Sequence, residues 1–259
     1  MKENIANAFN KDHKALIIYV TAGHPDMIES EKIIGSLIES GADMIELGVP
    51  FSDPTADGPV IQESSQMALK AGANLPEILK MAARIRKKYP TPLVLFSYYN
   101  VLLARGFEQT MADCAAAGID GVLIVDLPLE ESGEVLPVLN KYNLALIRLV
   151  APTTTPEHAA EIVREAEGFV YYITVKGVTG VRSGVAGGLE EHLKLLRKLS
   201  PVPVAAGFGI ATPEDARANA EHADGIIAGS AIVRLISAGN AEEAALLTSK
   251  MAAELRKLK

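Results

Sequence analysis

PLVLFSYYNVLLARGFEQTMADCAAAGIDGVLIVDL, residues 92–127, holds the pattern that decides the fold. Its two ends, 92–98 and 121–127, are apolar almost throughout, as strands of a parallel sheet covered on both faces should be. Between them, FEQTMADCAAAG has an acid near its start and closes on a glycine, which is typical of a helix. The stretch therefore predicts a strand, a helix and a second strand parallel to the first.

The same alternation continues in both directions, with no break in composition and no linker. Helix-like segments separate eight apolar runs, which are 15–20, 44–47, 92–98, 121–127, 144–150, 169–175, 201–206 and 225–229. We predict an α/β fold, a (β/α)8 TIM barrel forming a single domain over residues 1–259. It has an extra N-terminal helix and long loops after strands 2 and 6, at 48–74 and 176–188. A doubly wound open sheet is the alternative, but it usually shows a G-x-G-x-x-G turn where this chain reads TAGHPDM.

Composition narrows the possible partners and compartments. The 259 residues carry a net charge of −7, which argues against nucleic acid or an anionic membrane as partner, because both need a basic protein face. The single cysteine, Cys114, allows no disulfide within the chain and fits a reducing compartment. No apolar run approaches the ~18 residues of a membrane span, and the N-terminal residues lack a signal-peptide core. We expect a cytoplasmic protein.

Glu46 is the first candidate for a catalytic group, because it stands inside the second apolar run. Alternation along a strand places Met44, Glu46 and Gly48 on one face, and an apolar set suited to the helix layer on the other. Glu46 should therefore point into the barrel mouth, where lost solvation raises the pKa of a carboxylic acid toward the range useful for proton transfer. A structural glutamate paired with a backbone amide or an arginine is the competing interpretation.

Asp57 lies eleven residues later, in the loop of ELGVPFSDPTADGP (46–59). An aspartate before Gly-Pro is common in turns, and the sequence alone favours that ordinary role. Asp53, in Ser-Asp-Pro, has the same interpretation.

Glycine-rich strand ends in the last third of the chain predict a phosphate site. Barrels of this type often bind phosphate after strands 7 and 8, at the N-terminus of a short helix. AGFGI (206–210) and IAGSAIV (227–233) are the corresponding stretches, and Gly209, Gly229 and Ser230 would offer backbone N–H groups there.

Metal and imine chemistry are disfavoured. The five histidines are scattered without metal-ligand spacing, and no cysteine partners them. No lysine stands inside a strand core; the fifth run carries Arg148 instead, and Lys176 follows the sixth run. Acid–base work by carboxylates on a phosphorylated substrate, with no cofactor and no metal, is the chemistry that these residues favour.

The loop ELGVPFSDPTADGPVIQ closely resembles the signature of the tryptophan synthase alpha chain family. IYVTAGHP, SYYN, DLPLEES, APTT, YYITVKGVTG, GFGI and GSAIV resemble that family's other strand ends, in the same order. The resemblance covers essentially the whole chain. It implies cleavage of indole-3-glycerol phosphate to indole and glyceraldehyde 3-phosphate, a retro-aldol step.

The resemblance also implies roles for single residues. Glu46 would be the acid–base group, Asp57 would stabilise charge at the indole N–H, and Tyr171 would orient Glu46 or the substrate. The remaining roles are phosphate binding by Gly180, Gly209, Gly229 and Ser230, an indole pocket lined by Tyr19 and Tyr98, a lid residue at Thr179, and a surface for the beta-chain partner at Asp53, Pro54 and Asn100.

Two positions depart from the family pattern. Thr55 stands where the family usually has leucine, and His24 where it usually has aspartate. Neither is a proton-transfer residue, so the implied reaction is the same, while the fit to the partner and the geometry of the Asp57 loop are affected. Two alternatives to an alpha chain in an α2β2 complex follow: a free-standing lyase that releases indole, and a non-catalytic barrel that serves as an allosteric binding subunit.

Overall fold

The predicted barrel is confirmed. The computed structural model describes residues 1–173, 188–207 and 209–258 of the chain. Within these ranges, parallel strands pair in sequence order from β1 to β8, and β8 pairs with β1 to close the sheet. The strands are β1 (Ala15–Thr21), β2 (Met44–Gly48), β3 (Leu93–Ser97), β4 (Gly121–Ile124), β5 (Ala145–Val150), β6 (Val170–Ile173), β7 (Val204–Gly207) and β8 (Gly225–Ala228).

Helices cover the outside of the barrel. They are α1 (Lys2–Phe9), α2 (Met27–Glu39), α3 (Pro59–Lys70), α4 (Leu75–Lys88), α5 (Tyr99–Leu103), α6 (Phe107–Ala116), α7 (Ser132–Lys141), α8 (Pro156–Arg164), α9 (Leu189–Leu199), α10 (Pro213–Ala220), α11 (Ser230–Ser237) and α12 (Ala241–Leu255). Two of them, α8 and α10, begin as the Thr-Pro-Glu segments predict. The Thr155 side chain caps α8, and Thr212 with Asp215 forms a capping box on α10, so that the first amides of each helix are satisfied. None of the described helices combines the length and hydropathy that a membrane crossing requires.

Strand alternation divides the core into two layers. Ile45, Leu47 and Val49 belong to the large cluster between the sheet and the helices, whereas Met44 belongs to a smaller cluster inside the barrel. The predicted orientation of β2 is therefore confirmed, and Glu46 shares the inward face with Met44.

The extra N-terminal helix is also confirmed, and it closes the bottom of the barrel. Ile5 and Ala8 of α1 join the interior cluster, and the ring of Phe9 lies 5.6 Å from that of Phe169. Asn4 donates a hydrogen bond to Asp120 at 2.7 Å, which fixes the helix across the N-terminal ends of the strands. The mouth of the barrel lies at the opposite, C-terminal end of the strands.

The long connection after β2 contains a helix that the sequence did not reveal. Residues 48–74 were expected to be loop, but α3 begins at Pro59, with Gly58 in an extended conformation before it. Its buried face consists of Ser64, Ser65 and Ala68, which do not form an apolar stripe. The Ser64 hydroxyl lies 2.6 Å from that of Thr21, so α3 is held on the end of β1 by a hydrogen bond. The true loop is residues 49–58.

Candidate active site

Glu46 lies near the C-terminal end of β2 and is completely buried. Neither carboxyl oxygen has a hydrogen-bond partner among the described residues. Burial alone raises the pKa of Glu46 to about 8. The competing interpretation, a structural glutamate paired with an amide or an arginine, finds no such partner in this part of the chain. At neutral pH the group is mainly a neutral carboxylic acid that carries a proton.

Two tyrosines fill the barrel mouth around Glu46, and two glycines make room for them. Tyr19 pairs in register with Glu46, and its hydroxyl occupies the space that a Cβ at Gly48 would need. The hydroxyl of Tyr171 on β6 likewise lies 2.6 Å from the position of a Cβ at Gly207. Both glycines are therefore required for close approach rather than for an unusual backbone conformation.

Tyr171 lies beside Glu46 without a direct hydrogen bond to it. Its pKa is raised well above the ordinary value, first by burial and then by the negative charges of Glu46, Tyr19 and Asp57. The phenol therefore stays protonated, as a donor close to both carboxyl groups. Its role in orienting Glu46 or the substrate stays a prediction.

Asp57 is turned back toward the mouth by contacts from outside its own loop. The Tyr98 hydroxyl donates to Asp57 Oδ2 at 3.1 Å and accepts from the Ala56 N–H at 3.0 Å. The Gln62 side chain donates to the Asp57 carbonyl at 2.8 Å, which links the loop to α3. Burial raises the pKa of Asp57, and the bond from Tyr98 opposes that rise. The Asp57 carboxylate thus contacts Tyr98, directly after β3, and does not have the ordinary turn role that the sequence alone favours.

The aromatic walls of the mouth include residues that the sequence analysis did not select. Phe96 stacks edge-on against Tyr19 at 5.2 Å, and Phe51 lies 5.1 Å from Tyr98. Strand alternation in β3 would have found Phe96, since positions 94, 96 and 98 share a face. Phe51 and Gln62 carried no such local signal. Aromatic rings therefore form part of the wall of the mouth near Glu46 and Asp57.

The predicted phosphate residues lie at the ends of β7 and β8. Gly229 directly precedes α11. The first hydrogen bond of this helix runs from the Val233 N–H to the Gly229 carbonyl. The amides of residues 230–232 therefore have no carbonyl partner within the helix. No acidic residue stands in the first turn and no side chain caps it, unlike α10. Gly209 has a φ of +66°, which a glycine adopts without strain. Gly180 and the lid residue Thr179 lie outside the described residues.

The predicted partner residues lie on the rim of the mouth. Asp53 and Asn100 are exposed and Pro54 is partly exposed. The two departures from the family pattern differ in position. Thr55 is exposed on this rim, whereas His24 is buried and its Nε2 lies 2.9 Å from the Ser237 hydroxyl at the end of α11. His24 therefore contacts the helix that follows β8, and only Thr55 contributes to the exposed surface of the rim.

The described ranges contain no cluster of three or more side chains able to hold a metal ion. A buried, protonated carboxyl group and an uncapped helix N-terminus thus stand at the same end of a closed barrel. These features define a class, the (β/α)8 barrel enzymes that move protons on a phosphorylated substrate.

Comparison with known proteins identifies the family. The profile of the tryptophan synthase alpha chain family matches residues 5–259. The alpha chain from Geobacter sulfurreducens is 48% identical over 234 residues, or 90% of this chain and 89% of that protein. The solved alpha subunit from Legionella pneumophila superposes with a TM-score of 0.86 at 33% identity, covering 99% and 98% of the two chains. A tryptophan synthase structure from Mycobacterium tuberculosis gives a TM-score of 0.88 at 34% identity, covering 98% and 97%.

The chain belongs to the tryptophan synthase alpha chain family. It is a carbon–carbon lyase of tryptophan biosynthesis that cleaves indole-3-glycerol phosphate, and its partner is the beta chain in the α2β2 complex.

Proposed function

We propose that Glu46 is the acid–base group of this cleavage. The observation that supports the proposal is its complete burial, with both oxygens unbonded among the described residues and a pKa of about 8. A group that is protonated at neutral pH, yet close to its pKa, can give up a proton and take one back within a single turnover.

Glu46 alone can carry the proton in the proposed reaction, since it gives up one proton and regains one in each turnover. Its carboxyl group protonates indole C3, which gives an indolenine-like cation at the bond to be broken. The resulting carboxylate accepts the proton of the glycerol hydroxyl while the carbon–carbon bond breaks and its electrons return to the ring. Indole and glyceraldehyde 3-phosphate leave, and Glu46 is protonated again.

Asp57 is proposed to stabilise the positive charge that develops at the indole N–H. Its bond from Tyr98 and the brace from Gln62 hold the carboxylate in one place before the substrate binds, and a preorganised charge of this kind acts without reorganisation during the reaction. Tyr19 and Tyr98 are proposed to line the indole pocket. Tyr171, above Gly207, is proposed to orient the substrate or Glu46, and Thr179 to close over the site.

The phosphate group is proposed to bind at Gly209, Gly229 and Ser230, together with Gly180. The start of α11 supports this, because its first amides precede the first helical hydrogen bond, its dipole favours an anion, and its first turn contains no acidic residue.

Placing a carboxylate at this helix start should therefore weaken binding. For Ser230→Asp we expect the KM for indole-3-glycerol phosphate to rise at least about tenfold, because two anions would compete for the same amides. Ser230→Asn, which is similar in size to aspartate but neutral, is the matched control and should change KM far less. Equal effects of the two variants in steady-state indole formation would contradict a phosphate site at α11.

The beta chain is proposed to dock on the rim that carries Asp53, Pro54 and Asn100. Exposure of Asp53 and Asn100 beside the mouth supports this, since indole must pass from one subunit to the other. Indole formation should rise strongly when purified beta chain is added, and Asn100→Ala should reduce that rise without changing the rate of the chain alone. High activity alone, with no activation, would instead favour the free-standing lyase.

Two further proposals concern the domain organisation of the chain and its location in the cell. Residues 1–259 are proposed to form one domain, because one closed barrel contains every strand that the structure describes. Two separate transitions in calorimetric unfolding would contradict this.

The protein is proposed to work in the cytoplasm, which the free, buried Cys114 supports. Recovery of the protein outside the cytoplasmic fraction of cells would contradict this localisation.

A further inference from the structure

Arg148 is a buried charge that the reaction does not use. It lies in β5 between Ile147, which belongs to the interior cluster, and Leu149, which packs against that cluster. The side chain of Arg148 therefore faces the helix layer. Only 5% of the residue is exposed. Its Nε and Nη2 atoms have no hydrogen-bond partner among the described residues.

A cavity lies beside Arg148, where strands β4 and β5 separate. Their pairing ends at Leu123 and Ile147, and beyond this point the chain of β4 turns away toward α7. The cavity has a volume of about 130 Å³. Its walls include Leu127, Leu129, Leu146 and Ile162, with Arg148 and His158 as the ionisable side chains.

No acidic side chain of the described residues neutralises Arg148 by direct contact. Glu165 and Glu167 are near enough to favour its charged form. However, Glu167 is bound by Lys2 at 2.6 Å, and Glu165 is exposed after the end of α8. A guanidinium stays charged in proteins, and a buried charge without a partner is costly. An unbonded buried donor of this kind needs a physical explanation.

We propose that this cavity binds a short-chain monocarboxylate, with its carboxylate on Arg148. The Nε and Nη2 atoms lie on one edge of the guanidinium, and that edge matches the two oxygens of a carboxylate in a bidentate pair. The cavity volume is about the volume that four molecules occupy in liquid water. This space accommodates a carboxylate with a short aliphatic tail. The leucine and isoleucine walls suit that tail.

The walls also discriminate between classes of anion. A phosphate would bring oxygens against the leucine and isoleucine side chains that share the lining with Arg148 and His158, and these oxygens would lose hydrogen bonds, which is unfavourable. A neutral amide of the same shape would leave the guanidinium uncompensated. The site is separate from the catalytic mouth, because neither Glu46 nor Asp57 is among the residues that line the cavity.

The test uses the intact chain labelled with 15N-arginine and saturated with glycerol 3-phosphate, so that the catalytic phosphate site is occupied. Isobutyrate is added at constant ionic strength, and the Nε–H resonance of Arg148, assigned by its loss in Arg148→Lys, is followed by NMR. We expect a saturable shift with isobutyrate, and none with isobutyramide or inorganic phosphate. Arg148→Met should weaken isobutyrate binding, measured by calorimetry, at least about tenfold.

A second variant keeps the test decisive if Arg148→Met does not fold. Ile162→Phe fills the cavity and leaves the guanidinium in place, so it should abolish the shift. Binding that survives in either variant would overturn the proposal. The absence of a saturable shift would also overturn it, and would mean that water satisfies Arg148. If Glu165→Gln alone moves the resonance as far as isobutyrate does, Arg148 has an internal partner and the proposal is wrong.

Discussion

Replacing Glu46 with glutamine is expected to lower the turnover of indole-3-glycerol phosphate by about 10²- to 10⁴-fold, the range that general acid–base catalysis contributes. Glutamine has the shape of a protonated glutamic acid but cannot exchange the proton. Because burial keeps Glu46 mainly neutral at pH 7, the substitution changes no charge in the ground state. The affinity for glycerol 3-phosphate, measured by calorimetry, should therefore stay within a few-fold of the wild-type value.

Two further variants control for this loss. Glu46→Asp keeps the acid but withdraws it by about one methylene, and a misplacement of ~1 Å can cost ~10²-fold, so it should also fail. Glu63→Gln changes an exposed glutamate on α3 and should leave turnover unchanged. If Glu46→Gln turned over substrate like the wild type, Glu46 would not be the acid–base group.

The second large effect is expected for Asp57→Asn. Loss of a preorganised charge in a site of this kind costs about 10²- to 10³-fold in turnover, and we expect a loss in that range with little change in stability. The Tyr98 hydroxyl can still donate to the amide oxygen, so the loop should keep its position and only the charge is lost. Indole formation by the chain alone is the appropriate measurement, because it leaves the partner surface out of the comparison.

Asp53 provides the matched control within the same loop. It is exposed on the rim, so Asp53→Asn should keep the turnover of the chain alone while altering activation by the beta chain. Tyr98→Phe should give an intermediate loss of about tenfold, because the Asp57 charge remains but one hydrogen bond that positions it is gone. Similar losses for Asp53→Asn and Asp57→Asn would mean that the loop as a whole, and not the Asp57 charge, matters.

The barrel could be predicted from the sequence because its signals are local. Each strand is an apolar run, and alternation within MIEL was enough to orient Glu46. Helix α3 was missed because its buried residues, Ser64, Ser65 and Ala68, are small or polar rather than large and apolar. An apolar stripe in the sequence indicates a helix that buries large apolar side chains, and it does not detect a helix that packs through small ones.

Asp57 shows where sequence reasoning from residues ends. Its neighbours, Gly58 and Pro59, are those of an ordinary turn, and the contact that distinguishes it comes from Tyr98, which lies 41 residues further along the chain. The family resemblance selected Asp57 where local chemistry could not. Arg148 is the opposite case. The sequence already places it inside an apolar strand, but only the structure shows that its buried edge has no partner among the described residues.

The central claim is that burial holds Glu46 as a neutral acid poised for proton transfer. The most direct measurement is a pH titration of its carboxyl carbon by 13C NMR in the glutamate-labelled chain without substrate, with the signal assigned by its loss in Glu46→Gln. We expect an apparent pKa near the value of about 8 that burial imposes. A pKa near 4.5, the ordinary value for a glutamic acid, would show an ionised carboxylate at neutral pH and would contradict a neutral, buried acid at position 46.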